Sequence, residues 1–341
     1  MAFSDILSHD REISILKRAV KSGRVAHAYL FAGIDGIGKR LTAKELGRAL
    51  NCEEPLDSRD GDSCGRCASC TSFETSANLN YMEVAPEGGY LKIDKIRDLQ
   101  RSARHKMDTS TRVIVVEGAD AMQKQAANAF LKTLEEPTPG TVIVLLTSRP
   151  SVLLPTIISR CQRINFSPLP SETVASLIMD SETDTEVTLT KEEAELIASL
   201  SMGSMAVAKN VLRSGVYKGD SKGGLSKLAS GLFKDAPDTL LTLKSAGEMA
   251  KDDDLYLALD FLKLRIRDMV VAGEGAPEFA FASTEGIRPV GFEELDRIFE
   301  AVERAKRDMM PPRNANKQLT LEVMLMELDE IRAATMKAAI Q

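Results

Sequence analysis

The sequence predicts an α/β domain followed by all-α domains, and three observations carry that prediction. Short apolar runs rich in β-branched residues alternate with helical patterns through the first half. A glycine-rich run with the spacing of a phosphate-binding loop stands between a strand pattern and a helix pattern. From about Thr173 the β-branched runs cease and helical periodicity continues to Gln341. A chain of 341 residues exceeds one ordinary core, so two or three domains are expected.

The apolar Tyr29-Leu30-Phe31 reads as the first strand, and Leu41 to Leu46 reads as the helix that follows it. Between them, Gly33-Ile34-Asp35-Gly36-Ile37-Gly38-Lys39-Arg40 has P-loop spacing, so Gly33, Gly36, Gly38 and Lys39 are the candidate nucleotide-binding residues. In such a loop the backbone N–H groups wrap phosphate, the lysine reaches it, and a Ser or Thr hydroxyl holds Mg²⁺. Arg40 occupies that hydroxyl position and has no acceptor atom with which to ligate a cation. Val113 to Val116 and Val142 to Leu146 read as strands buried on both faces of a parallel sheet. Met122, Ala126, Ala129, Phe130 and Leu134 recur at helical spacing between them, and Pro137 stops that helix, which makes a βαβ unit. In the helical half, breaks fall at Ser214 to Ser226 and Gly273 to Pro277. Pro311-Pro312 precedes a last helix carrying Leu321, Leu325, Leu328 and Ile331.

Lys and Arg total 44 against 50 Asp and Glu, a formal charge of -6, so the whole chain does not advertise nucleic-acid binding. Arg97, Arg101, Arg104, His105 and Lys106 form a basic stretch that reads equally well as a solvated helical face. No apolar run approaches the ~20 residues that span a bilayer and the start lacks a signal pattern, so a soluble cytoplasmic protein without membrane partners is expected. Of five cysteines, Cys64, Cys67 and Cys70 form C-x2-C-x2-C, with Cys52 upstream. Four thiolates at that spacing suit one structural Zn²⁺ with no open coordination position. His9, His27 and His105 are scattered, no Ser-His-Asp or Cys-His arrangement stands out, and His27 reads as a packed structural histidine. Met309, Met310, Met324 and Met326 read as core or interface packing, and Glu135-Glu136-Pro137 as a helix end without a catalytic role.

Arg24 to Phe31, the P-loop, Asn51-Cys52, the cysteine knuckle, Asn128 to Pro137 and Thr156 to Cys161 occur in that order, and together they resemble bacterial DNA polymerase III clamp-loader subunits of the AAA+ class. The resemblance covers residues 1 to 215 closely and the rest more loosely, through Asn314 to Leu319. It implies an AAA+ domain at 1–168 with a zinc knuckle at 52–70, a small helical lid at 169–214 and a helical collar at 215–341. It also implies a five-membered ring with gamma/tau and delta subunits, which acts with the sliding clamp and primer-template DNA. Catalytic members carry Asp-Glu after the strand that ends at Val116, where this chain has Glu117-Gly118. Their lid carries Gly-Ser-x-Arg, where Gly203-Ser204-Met205-Ala206 ends in alanine. Asp120 lies one turn on from Glu117, and Thr147 or Ser148 stands at the polar sensor position.

Ser159-Arg160-Cys161 is intact, which implies that Arg160 serves a neighbour's nucleotide in trans, with Cys161 as a small packed thiol. The expected protein is therefore delta-prime-like, with weak or absent ATP or ADP binding of its own while its partners use ATP. An active gamma/tau-like ATPase and a zinc-containing DNA-binding adaptor are the two alternatives.

Overall fold

The computed structural model describes residues 2–54, 60–74, 78–87, 89–103, 111–181, 189–214, 246–247, 249–251, 255–275, 291–310 and 313–340. Arg104, His105 and Lys106 lie outside them, as do 215–226 of the first sequence break, Ala276-Pro277 of the second, and Pro311-Pro312. The chain forms two compact units, Met1–Thr173 and Val174–Gln341.

The first unit is built on five parallel strands, β1 (Ala28–Ala32), β2 (Tyr81–Val84), β3 (Arg112–Val116), β4 (Thr141–Thr147) and β5 (Gln162–Asn165). Their order is β2-β3-β4-β1-β5, so the winding reverses at β1. In an open parallel sheet the crevice at such a reversal, beyond the carboxyl ends of the strands, is where a loop can meet a ligand. The glycine-rich run leaves β1 at that point. Parallel pairing requires crossovers, and the helices α1 (Asp10–Lys21), α2 (Lys39–Leu50), α3 (Ala68–Glu74), α4 (Ile93–Ala103), α5 (Lys124–Glu135) and α6 (Pro155–Ile158) supply the cover.

Every residue of β1, β3 and β4 is buried, as continuous apolar strands require when helices cover both faces. On one face Leu30, Ile114, Val116, Ile143 and Leu145 pack with Ile96 and Leu99 of α4, Phe130 and Leu134 of α5 and Ile157 of α6. The edge strand β5 buries only Ile164, which accounts for its polar sequence.

The segment that bears the cysteines is sewn to this body by a carboxylate. Asp62 accepts hydrogen bonds from the N–H groups of Phe3 (3.0 Å), Ser4 (3.2 Å) and Ser63 (2.8 Å), and Lys17 Nζ lies 3.1 Å from it. Charge-assisted bonds to backbone donors are the strong kind, so one buried side chain fixes the amino terminus, α1 and the insertion together. A second tie is ionic. Arg48 Nε on α2 is 3.3 Å from Glu45 Oε2, and Arg48 Nη1 donates to Glu74 Oε1 of α3 at 3.3 Å.

The second unit is helical. It contains α7 (Ser171–Ser181, beginning at the end of the first unit), α8 (Lys191–Leu200), α9 (Met205–Ser214), α10 (Leu255–Gly273), α11 (Phe292–Met309) and α12 (Lys317–Ile340). Leu255, Leu259, Leu262 and Ile266 pack with Leu295, Ile298 and Val302 and with Leu321, Leu325, Leu328 and Ile331, so the predicted apolar stripe of the last helix is a core face. Asn316 starts that helix, its Oδ1 accepting from Leu319 N at 3.0 Å.

Met309 and Met324 are buried in that core, while Met310 and Met326 are exposed on this chain, so core packing holds for the first pair alone. One expectation needs correction. His27 is exposed rather than packed, because the residue before the buried Ala28 already lies outside the sheet and contributes only its carbonyl, which accepts from Ile143 N at 2.9 Å.

Glu45 is 1% exposed, and burial pushes its carboxyl from about 4.5 up to about 7 against the pull of Arg48. A raised folded-state value favours folding while the proton is bound and loses that contribution as pH climbs toward 7. Urea midpoints should therefore show Glu45→Gln gaining on the parent as pH rises from about 4.5 to about 7. A difference that stays flat across this window would refute it.

Candidate functional site

The site residues expected from the sequence fall into three groups, and each can be built from its supporting elements. The first is the loop after β1. Gly36 and Gly38 hold φ of 77° and 103°, a region that L side chains rarely adopt, and Gly38 opens α2 as its N-cap. Gly33 donates its N–H to Thr147 O of β4 at 3.1 Å, and His9 Nε2–H donates to Ile37 O at 2.6 Å from behind the loop. The His9 ring is buried edge-on to Phe166, with centroids 4.9 Å apart. His9 is thus a support of this loop, a role that the scattered histidines did not signal.

Lys39 is only 6% exposed, and its ammonium is turned onto its own loop. Nζ donates to Gly33 O, to Ile34 O (2.7 Å) and to Asp35 Oδ1 (3.5 Å). Burial lowers its pKa and Asp35 opposes that shift. The loop therefore keeps a P-loop backbone while its own carbonyls occupy the lysine.

Arg40 explains the missing hydroxyl. Its Nε lies 2.5 Å from Glu83 Oε1 and 2.8 Å from Glu117 Oε1, and its Nη2 donates to Glu83 Oε2 at 2.7 Å. Glu83 sits in β2 and Glu117 directly follows β3, so the guanidinium bridges two strand-end carboxylates. It places a fixed positive charge among the carboxylates of a site that would otherwise attract a divalent ion. Burial, then the hydrogen-bonded Glu83, raises the pKa of Glu117.

Gly118 holds φ of 54°, and a Cβ there would lie 2.8 Å from Pro86 Cγ. A carboxylate side chain cannot be accommodated at this position without moving that proline. The sensor position is likewise committed. Thr147 Oγ1 donates to Asp120 Oδ1 at 2.7 Å and accepts from Arg149 N at 3.1 Å, while Arg149 Nε donates to Asp120 Oδ2 at 2.9 Å. Burial alone would raise the pKa of Asp120, but the bonds from Thr147 and Arg149 outweigh it and hold the group below its ordinary value. In the second unit Ala206 is an exposed residue of α9 and offers no cation.

The second group is the cysteine cluster. The four sulfurs of Cys52, Cys64, Cys67 and Cys70 lie within 4.8 Å of one another, and Cys64 and Cys70 are 3.8 Å apart. Tetrahedral Zn²⁺ with ~2.3 Å bonds to sulfur needs S···S separations of about 3.8 Å. Backbone N–H groups aim at the sulfurs as well. Cys64 N approaches Cys52 Sγ (3.4 Å), Arg66 N and Cys67 N approach Cys64 Sγ (3.5 and 3.2 Å), and Cys70 N approaches Cys67 Sγ (3.4 Å). Burial opposes ionisation of Cys64, but the N–H groups of Arg66 and Cys67 bring its pKa down to about 6. This donor set fits a metal held by these four residues, which would close the knuckle without offering a reactive position.

The third group surrounds Arg160. It lies in the turn between α6 and β5 and is 36% exposed. Its Nη1 donates to Thr156 O at 3.0 Å, and its Nη2 donates to Glu135 Oε1 at the end of α5, 2.8 Å away. Ser159 Oγ donates to Thr156 O at 3.2 Å and tightens the same turn. Burial pushes the Cys161 thiol up to about 11, and it packs against the sheet core, as expected of an inert thiol. On α4, Arg97 and Arg101 pair with Asp94 and Asp98, which favours the solvated-face reading of the described part of the basic stretch.

Two outcomes follow from this geometry. Native mass spectrometry should find one zinc per chain; chelation or Cys67→Ser should remove it and lower the melting temperature, whereas a folded chain with no metal would refute the four-sulfur site. Gly118→Glu should give no ATP turnover and should cost about 1–3 kcal/mol of stability, from left-handed strain and the Pro86 clash, measured by thermal or urea unfolding.

Residues 8–170 match the family described as "DNA polymerase III, delta subunit". The chain is 31% identical to the DNA polymerase III subunit tau of Bacillus subtilis over 73% of this chain and 47% of that protein. It is 39% identical to the subunit delta' of Pseudomonas aeruginosa over 42% of this chain and 44% of that one. With the delta' subunit of Bacillus subtilis the identity is 32%, over 50% of this chain and 51% of that one. The chain thus spans about half the length of the curated relatives it matches. In its parallel sheet, P-loop spacing and cysteine knuckle, the chain is thus similar to the tau and delta' subunits of DNA polymerase III over the residues they share.

Proposed function

We propose that the chain is a delta-prime-like subunit that hydrolyses no ATP and lends Arg160 to the nucleotide site of an adjacent ATPase subunit. The observation that carries this is Arg40, which puts a built-in cation on Glu83 and Glu117 where hydrolysis needs Mg²⁺. The occupied Lys39 and the side-chain-free Gly118 support the same reading. ATP and ADP then bind this loop weakly or not at all, and turnover belongs to the partners.

Topology supports action in trans. Gln162 of β5 pairs with Tyr29 of β1, so Arg160 precedes the amino end of the sheet while the P-loop leaves the carboxyl end. The four residue steps from Tyr29 to Gly33 alone span about 13 Å at ~3.3 Å each. An arginine at that edge faces away from its own loop and is available to another chain.

In this reading the chain completes a five-membered ring with gamma/tau and delta subunits in the cytoplasm. The ring places a sliding clamp on primer-template DNA. Residues 169–214 serve as the lid and 215–341 as the collar, and the four-cysteine zinc is structural. The second reading is a gamma/tau-like ATPase, favoured by the longer alignment with tau.

The two readings separate in one assay. The isolated chain should show no Mg²⁺-dependent ATP turnover, and robust hydrolysis would sink the non-catalytic one. In a reconstituted loader, Arg160→Ala should leave assembly intact and slow ATP hydrolysis by the partners, with ~10³-fold as the lower end for arginine fingers generally. Unchanged turnover would remove the finger role.

A further inference from the structure

Arg160 is held on two rigid supports that belong to one core. Its own turn follows α6, whose Ile157 is fully buried, and Arg160 N donates to Ile157 O at 3.1 Å. Glu135 is the last residue of α5, next to the buried Leu134 of the same cluster, and Pro137 lies just beyond the helix end. Between these supports the guanidinium spends both Nη1 donors on Thr156 O (3.0 Å) and Ser159 Oγ (3.5 Å) and one Nη2 donor on Glu135 Oε1 (2.8 Å). Nε–H and the second Nη2 donor remain for an incoming oxyanion.

We infer that Glu135 is the positioning residue for Arg160, fixing the plane of the guanidinium so that its remaining donors are presented to a neighbour's phosphate. The inference rests on the finger reading of Arg160 given above. A long arginine side chain loses much rotamer freedom when it is fixed on a ligand, and a preformed cradle meets that cost before the neighbour arrives. Glu135 touches no phosphate in this scheme. The pair is exposed enough to be modest in strength, with relative side-chain exposures of 36% for Arg160 and 50% for Glu135, so it orients the cation without neutralising it permanently.

The test uses full-length chain reconstituted with ATP-hydrolysing partner subunits and compares the parent, Glu135→Gln, Arg160→Ala and the double variant. Glu135→Gln should slow turnover about two- to fivefold, the range that an exposed ion pair supports, and should add nothing once Arg160 is gone. In the isolated chain, the Arg160 Nε–H resonance should show a hindered guanidinium in the parent and a freely averaging one in Glu135→Gln, a change that general destabilisation would not produce. If Arg160→Ala slows turnover while Glu135→Gln leaves it unchanged, speeds it, or still slows it in the double variant, the positioning role is overturned. If Arg160→Ala itself has no effect, the finger reading fails and the role of Glu135 in turnover falls with it.

Discussion

The constraint on which the site depends is charge balance at the carboxyl edge of the parallel sheet. Winding that reverses at β1 brings the ends of β1, β2, β3 and β4 side by side, and the first three carry acid into the crevice. Asp35, Glu83, Glu117 and Asp120 all lie at or just beyond strand ends. In an ATPase such a cluster is balanced by a divalent ion and shaped around phosphate. Here the chain answers each carboxylate from within: Lys39 for Asp35, Arg40 for Glu83 and Glu117, and Arg149 for Asp120. A divalent ion would have to displace the Arg40 guanidinium and leave that charge beside it. The repulsion and lost pairing make this unfavourable at the short distances involved.

The same accounting explains why the departures from the ATPase pattern occur together. Once an arginine stands on the strand-end acids, a water-activating carboxylate at position 118 would bring a further negative charge next to Glu117 with no metal to offset it. The backbone at Gly118 has taken a conformation in which such a side chain is strained and meets Pro86. The knuckle lies outside this balance. It is joined to the body through Asp62, and Arg48 with Glu74 ties α3 to α2, so the four cysteines sit on the flank of the helix that the P-loop starts.

How much of this could be read from the residues follows from where the information sits. The buried strands β1, β3 and β4 announce themselves because continuous apolar runs are required when both faces are covered. The edge strands β2 and β5 do not, since Tyr81–Val84 and Gln162–Asn165 mix polar and apolar residues as half-covered edges do. The cysteine cluster was legible because its ligands are close in sequence, and the four sulfurs converge as their spacing implies. Glu83 was invisible as a partner of Arg40 because 43 residues separate them and only the sheet order makes them neighbours. The same holds for His9 beneath the loop and for Glu135 beside Arg160, contacts made by packing and not by any local pattern.

The ion pairs around the P-loop and the contacts that hold Arg160 coexist because the fold keeps them on opposite edges of one sheet. Parallel strands send every carboxyl end in one direction, so residues that leave β1 and residues that enter β5 cannot share a pocket. Substitutions that lock the carboxyl edge with internal ion pairs therefore leave the amino edge free to keep its own geometry. There the end of α5 and the turn after α6 hold Arg160 through backbone and carboxylate acceptors anchored in the sheet core. In the role proposed for Arg160, charge lent to a neighbour's reaction costs the ordering of one side chain. The intramolecular cradle reduces that ordering cost before any neighbour is engaged.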